Sequence, residues 1–224
     1  KNKNKNKNKN KNKNKNKKIS IGFLFDKKNQ WIYRFFKKIK IQKEISNKFK
    51  VSSSFSINNL RKCKIIFILG YTKLINIKKI NSFEYALIVH ESDLPKGRGF
   101  SPVRRQIVRN KNKIKVLLIK CSKRADTGDI VENEMMQIQP FDLYDDIREK
   151  QFLATKRIII KFLKKYPNIK SKKQKGKSTF FKKLRNLDDK LSLNKSIKDQ
   201  FNILRSTDYK NYPNYFYYKG KKFY

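Results

Sequence analysis

The apolar residues of the chain fall into short blocks, and the spacing within each block separates strands from helices. Residues 19–25 (Ile-Ser-Ile-Gly-Phe-Leu-Phe) form an apolar run closed by Asp26, and residues 63–69 and 85–89 are runs of the same kind. Unbroken apolar runs of this length read as strands buried on both faces. Residues 49–52 and 114–119 read as further strands, and 130–138 as an extended segment. Between these runs the spacing turns helical. Ile32, Phe35, Phe36 and Ile39 predict a helix from a cap at Asn29 to about Ile41. Leu143, Ile147, Ala154, Ile158 and Phe162 predict another, from a cap at Asp142 to Tyr166, ahead of Pro167. Residues 75–83 read as a short connection or helix. Residues 103–108 read as helical, with Arg104, Arg105 and Gln106 on one turn. Short strands alternating with helices predict the α/β class: a Rossmann-like, mostly parallel sheet with helices on both faces. No Gly-x-Gly-x-x-Gly follows the first strand, so no motif points to a dinucleotide.

Three segments differ in character. Residues 1–17 are Lys-Asn repeats with no apolar group to bury, which predicts a disordered tail. Residues 18–167 carry the strand–helix alternation and read as one α/β domain. Residues 168–224 form a C-terminal extension: a basic linker, a helix over 197–206, and a tail over 209–224 whose six tyrosines predict a short hairpin. The formal charge is +42, and ten of the lysines lie in the first eighteen residues. The other lysines accompany an excess of Asn, Ile, Phe and Tyr and fall on every surface. A solvated lysine surface is therefore the better reading than a stripe for nucleic acid, although it suits an anionic substrate. Cys63 and Cys121 stand apart and the chain has one histidine, so neither a disulfide framework nor a metal site is expected. No apolar run approaches the ~20 residues that span a bilayer, and no signal-peptide core follows Lys1. The expectation is a cytoplasmic protein without a membrane partner, whose N-terminus need not be the natural one.

The stretch from Val89 to Pro102 concentrates the candidate chemistry. It holds the single histidine, His90, with two of the seven glycines and two of the five prolines. Its Gly and Pro residues cannot continue the strand that precedes them. His90 is thus predicted at the C-terminal mouth of a buried strand, above a sharply shaped loop, where open α/β sheets bind ligands. Imidazole is also the one side chain here that ordinarily titrates near neutrality.

His90-x-Ser92-x-Leu94-Pro95, followed by Arg98-Gly99 and Pro102, resembles the signature of the folate-dependent formyltransferases. Ala125-Asp126-Thr127-Gly128-Asp129-Ile130 resembles the second motif of that family, with Asp126 placed 36 residues after His90. The resemblance implies transfer of a formyl group from 10-formyltetrahydrofolate to a primary amine, with His90 and Asp126 as the catalytic pair. It places Gly70, Tyr71 and Thr72 along the pterin side of the carrier site, with Ser92, Asp93, Leu94 and Pro95 bordering it and Ala125 in the opposing loop. It gives Arg98 to an anionic group of the substrate, lets Gly97 and Gly99 bring backbone close to a ligand, and assigns no metal. The wording of the His90 loop, and Phe201 to Arg205 followed by Tyr212-Pro213, resemble the nucleotide-sugar branch of the family. On that branch Asn202 and Arg205 approach the substrate, a small-molecule amine. The tRNA branch is the alternative acceptor reading, a homodimer stays open, and a non-catalytic basic RNA-binding protein on the same fold is the reading from a different class. The pattern departs from the family at Ile88, where the family has an Asn that donates to the oxyanion. A backbone N–H or Ser92 would have to serve instead. Asp93 in place of a Leu makes the carrier lining less apolar.

Overall fold

The computed structural model describes residues 18–39, 44–45 and 47–224. The repeat over residues 1–17, read as a disordered tail, and the predicted helix end near Ile41 lie outside the described residues. A six-stranded sheet runs in the order β2-β1-β3-β4-β6-β7. β1 (Ile19–Phe25), β2 (Phe49–Ser54), β3 (Ile65–Leu69) and β4 (Tyr85–His90) are mutually parallel. β6 (Lys113–Lys120) runs antiparallel to β4, and β7 (Ile130–Gln137) antiparallel to β6. The reversal at β6 follows from the link before it. A parallel return needs a crossover long enough to retrace the strand. Here the link spends its residues on the Gly/Pro loop and on α3 (Pro102–Ile107), a helix of six residues. The chain therefore re-enters from the end of the sheet at which it left.

The two faces of the sheet are covered differently. α1 (Gln30–Ile39) and α4 (Tyr144–Lys165) bury one face, with Ile21, Phe23, Phe67, Leu87 and Leu118 from the strands against Ile32, Phe36, Ile158 and Phe162 from the helices. Aromatic rings interlock across that layer, Phe23 on Phe67 at 5.3 Å and Phe162 edge-on to Phe67 at 5.8 Å between centroids. On the other face Leu24, Ile66, Ile68 and Ala86 lie under a single 3₁₀ turn over Ile57–Leu60 and the one-turn helix α2 (Ile77–Ile80). Beyond β4 that face is closed by the His90 loop, where Leu94 packs on Leu117, Ile119 and Ile130.

Asp142 does not cap α4. The N-cap is Leu143, whose N–H donates to Asp146 Oδ2 at 3.0 Å, while Asp142 accepts the Gln139 N–H at 2.6 Å and pairs with Lys150. Asp146 thus supplies the carboxylate that the N-terminal turn needs, and Asp142 closes the turn before it.

The extension is bound to the core at several points. Lys172 forms an antiparallel bridge with Ile130, and β8 (Phe180–Phe181) pairs with β5 (Arg98–Gly99) inside the His90 loop. Arg104 and Arg105 of α3 reach Asp189 and Asp188. The tyrosine-rich tail does form a hairpin, β9 (Phe216–Tyr218) with β10 (Lys221–Phe223).

α5 (Ile197–Ser206) gives Asn202 and Arg205 a structural setting. Arg205 is only 2 % exposed; its guanidinium donates to Asn202 Oδ1 at 2.7 Å, the Gln139 carbonyl at 2.9 Å and Asn112 Oδ1 at 2.8 Å. Asn202 in turn reaches Asn110. The structure therefore does not bring this pair to the His90 loop: the side chains bolt α5 to the segments that flank β6 and β7. Three of the five N–H donors of this buried guanidinium are thus held by fixed acceptors of the fold. Arg205→Ala would remove a buried side chain together with these three hydrogen bonds, a loss of about 1–3 kcal/mol. Urea unfolding at neutral pH measures it.

Candidate active site

His90 is the last residue of β4 and is 5 % exposed. Strand alternation puts its side chain on the same face as Ile88 and Ala86. Ile88 is half-buried and packs towards Leu94, so an apolar side chain fills the position where the resemblance calls for an Asn. The imidazole has an acceptor at each nitrogen. Nε2 lies 2.9 Å from the Gly97 carbonyl, and Nδ1 lies 3.5 Å from Asp126 Oδ1. A carbonyl can only accept, so Nε2 carries a proton. In a neutral ring the lone pair is then on Nδ1, beside the carboxylate.

Asp126 is held by its own turn. It adopts φ +56°, a left-handed conformation that Asp tolerates better than most residues, and Oδ2 accepts the Gly99 N–H at 2.9 Å. The turn folds back tightly on β6. A Cβ at Gly128 would stand 1.7 Å from the Lys120 carbonyl oxygen, so only glycine lets the Asp126 turn close there. Thr127 and Ser122 both donate to the Arg124 carbonyl. Ala125 lies exposed beside them.

The loop after His90 turns much of its side-chain chemistry inward. Ser92 is 2 % exposed and donates its hydroxyl to the Lys96 carbonyl at 2.8 Å, so that hydroxyl is not free to serve an oxyanion. Leu94 and Pro95 are buried, while Asp93 is exposed and paired with Lys115 at 2.7 Å. Gln106 of α3 donates to the Glu91 carbonyl at 2.8 Å, and Gln151 of α4 donates to the Glu91 carboxylate. The backbone directly after His90 is thus pinned from two helices. Arg98 is half-buried, and one of its terminal nitrogens donates to Gln174 Oε1 at 2.7 Å.

Gly70, Tyr71 and Thr72 sit where β3 ends, adjacent to the end of β4. Gly70 takes φ +59°, and its carbonyl accepts from Asn29 at 2.6 Å. Tyr71 packs in the same cluster as Ile88, which brings the expected pterin segment beside the strand that carries His90. Thr72 is organised by Asp26 at the end of β1, a residue not among the expected site residues. Asp26 Oδ2 accepts both the N–H and the hydroxyl of Thr72, and Oδ1 accepts the Lys28 N–H at 3.0 Å. β1 and β3 are neighbours at the point where the strand order reverses, the crevice where such sheets bind ligands. Three other unforeseen residues, Gln174, Thr179 and Phe181, come from the extension and press on the loop. Nothing local in the sequence marks them, because their partners lie 46 to 84 residues away (174 − 128 and 179 − 95).

Residues 3–163 match the family model described as formyl transferase, and the chain belongs to that family. A methionyl-tRNA formyltransferase from Thermosipho melanesiensis is 30 % identical over 152 residues, which cover 68 % of this chain and 49 % of that protein. The chain thus spans about half the length of this relative. Two solved structures share the fold. HypX from Aquifex aeolicus, in complex with tetrahydrofolic acid, superposes with a TM-score of 0.75 at 16 % identity, covering 92 % of this chain and 37 % of that one. A 4-N formyltransferase from Francisella tularensis superposes with a TM-score of 0.64 at 18 % identity, covering 91 % and 95 %. Among the described residues no helix is long and apolar enough to cross a membrane.

The Asp26 bracket gives a pH signature. Burial raises its carboxyl, but the hydrogen bonds from Lys28 and Thr72 and the nearby Lys73 charge together outweigh it and hold the group below its usual range. The folded chain therefore binds this proton more weakly than the unfolded chain. The stabilisation is complete above the ordinary Asp value of ~3.9 and is lost as pH falls through the lowered folded-state value. Asp26→Asn is expected to lower the urea midpoint at pH 7, with the gap to the wild type closing progressively below about pH 4. A gap that stays constant with pH would show that the carboxylate is not what the bracket depends on.

Proposed function

We propose that this chain moves a formyl group from 10-formyltetrahydrofolate to the primary amine of a small molecule, an amino-sugar nucleotide, and that His90 and Asp126 are its catalytic pair. The observation that carries the reading is the His90 ring at the mouth of β4 with Nδ1 3.5 Å from Asp126 Oδ1. The two residues come from motifs far apart in sequence and meet on one side of the sheet.

The chemistry follows from that arrangement. The amine nitrogen attacks the formyl carbon, and the carbonyl electrons move onto its oxygen. Nδ1 of His90 takes the proton that the amine must lose, and Asp126 stabilises the imidazolium so formed. As the oxyanion collapses, the bond from the formyl carbon to the tetrahydrofolate nitrogen breaks, and His90 returns the proton to that leaving nitrogen. With Ile88 where the family has its Asn and the Ser92 hydroxyl already spent, the imidazolium is the positive charge left beside the oxyanion. Burial of the pair strengthens this electrostatic effect. The carrier lies along Gly70, Tyr71 and Thr72 and the Ser92–Pro95 turn, and Arg98 meets an anionic group of the acceptor.

A second reading concerns the acceptor alone. The sequence relative is named a methionyl-tRNA formyltransferase, which favours the amine of an aminoacyl-tRNA. One assay compares the two: labelled 10-formyltetrahydrofolate offered to a panel of amino-sugar nucleotides and to methionyl-tRNA, with transfer followed by chromatography. Product on a sugar nucleotide is expected. Product on the tRNA alone establishes the second reading. His90→Asn is expected to lower kcat by ~10²–10⁴-fold, the range that general acid–base groups supply, while folate affinity measured by titration holds. Turnover equal to wild type in His90→Asn would sink the catalytic assignment.

A further inference from the structure

The geometry points to the C-terminal strap, residues 172–181, as the element that sets the His90–Asp126 pair, with Thr179 and Gln174 as its positioning residues. The inference rests on the formyl-transfer reading of that pair. Two chains of contact lead from the strap to the two partners. In the first, the Gly97 N–H donates to Thr179 Oγ1 at 2.8 Å, and the Gly97 carbonyl accepts from His90 Nε2 at 2.9 Å. The flanking backbone is held to the strap as well: Thr179 N–H donates to the Pro95 carbonyl at 3.3 Å, Arg98 N–H to the Thr179 carbonyl at 3.0 Å, and Phe100 N–H to the Phe181 carbonyl at 3.0 Å. In the second, Gln174 Nε2 donates to the carbonyls of Asp126 and Gly128, each at 2.9 Å, and Gln174 Oε1 accepts from Arg98.

The fit leaves little slack. A Cβ at Gly97 would stand 2.7 Å from the Phe181 ring, and one at Gly99 2.5 Å from the Phe181 carbonyl oxygen, and both glycines have positive φ. Strap and loop therefore approach more closely than any side-chain-bearing residue at those two positions permits. The consequence for chemistry is a choice of tautomer. The fixed Gly97 carbonyl selects the Nε2–H form of His90, which leaves Nδ1 as the proton acceptor facing Asp126. Gln174, through the Asp126 main chain, keeps that carboxylate where Nδ1 meets it. Neither strap residue touches a reacting atom; both act through the pair.

The test uses the full chain and a near-isosteric change. Thr179→Val removes only the hydroxyl that holds Gly97, and Thr179→Ser keeps it; the three main-chain bonds remain in both. His90 is the only histidine, so its ring nitrogens can be read without ambiguity by ¹⁵N NMR at pH ~9, above the ordinary imidazole range. Wild type and Thr179→Ser are expected to show the Nε2–H tautomer, and Thr179→Val a mixture of the two. With the acceptor that wild type uses, Thr179→Val should lower kcat by ~10–10²-fold, as small misplacements do, with KM for carrier and acceptor nearly unchanged. Gln174→Glu keeps an acceptor for Arg98 but loses the donor to Asp126 and Gly128. Hydrogen exchange at the Gly99 amide, which donates to Asp126 Oδ2, should quicken in that variant. A Thr179→Val protein whose ring spectrum and kcat match wild type overturns the positioning role. A wild type that formylates nothing in the panel defeats the formyl-transfer reading instead, and the ring spectra then still decide whether the strap sets the histidine.

Discussion

A buried imidazole needs a partner for its N–H, and His90 finds one in a carbonyl at Nε2, while a carboxylate faces Nδ1 and pairs with it once that nitrogen is protonated. Neither partner is available by default. The carbonyl belongs to Gly97, seven residues on, and reaches the ring only because the chain doubles back after β4. The carboxylate belongs to a turn beyond the next strand, and it faces the ring because Asp126 accepts the left-handed conformation and Gly128 lets the turn lie against Lys120. Leaving the Nε2–H unpaired in so dry a place would cost about 1–3 kcal/mol, a large share of the stability of a typical domain. The burial of one ring thus ties together the loop, the turn and the strap that borders both.

The sheet supplies the frame for this arrangement. Four parallel strands, with β3 and most of β1 dry on both faces, bring the ends of β1, β3 and β4 to a common rim, and the reversal at β6 returns the chain beside β4 rather than across the far face. The long helices load one face only. The opposite face, under short turns, is where the His90 loop and the extension can settle, so the chemistry collects on the side that the helices leave open.

Much of this was legible in the sequence, for physical reasons. Unbroken apolar runs identified β1, β3 and β4 because strands buried on both faces admit little else, and the Gly/Pro cluster placed His90 at a strand end because those residues cannot continue a ladder. What escaped, the local turn at Asp142 apart, depended on partners distant in the chain. Asp142 looked like a helix cap because cap chemistry is local, yet the competing turn at Gln139 claimed its carboxylate. Arg205 was given to the substrate by resemblance alone, and its burial against Gln139 and Asn112 is not visible in the sequence. Gln174 and Thr179 carried no signal, since a polar residue in a lysine-rich stretch gains meaning only from what it meets.

The sequence distance between His90's loop and its strap gives the protein an order of assembly in time. Gly97 and Thr179 are 82 residues apart. At ~5–20 residues per second on a ribosome, about 4–16 s separate their synthesis. During that interval the parallel strands and α4 can already associate through contacts nearer in sequence, which form sooner than distant ones. Until then the histidine loop lacks the four main-chain and hydroxyl contacts that the strap gives it. The strap is the later of the two partners to be made, and its hydroxyl reaches Gly97 only once residue 179 is available.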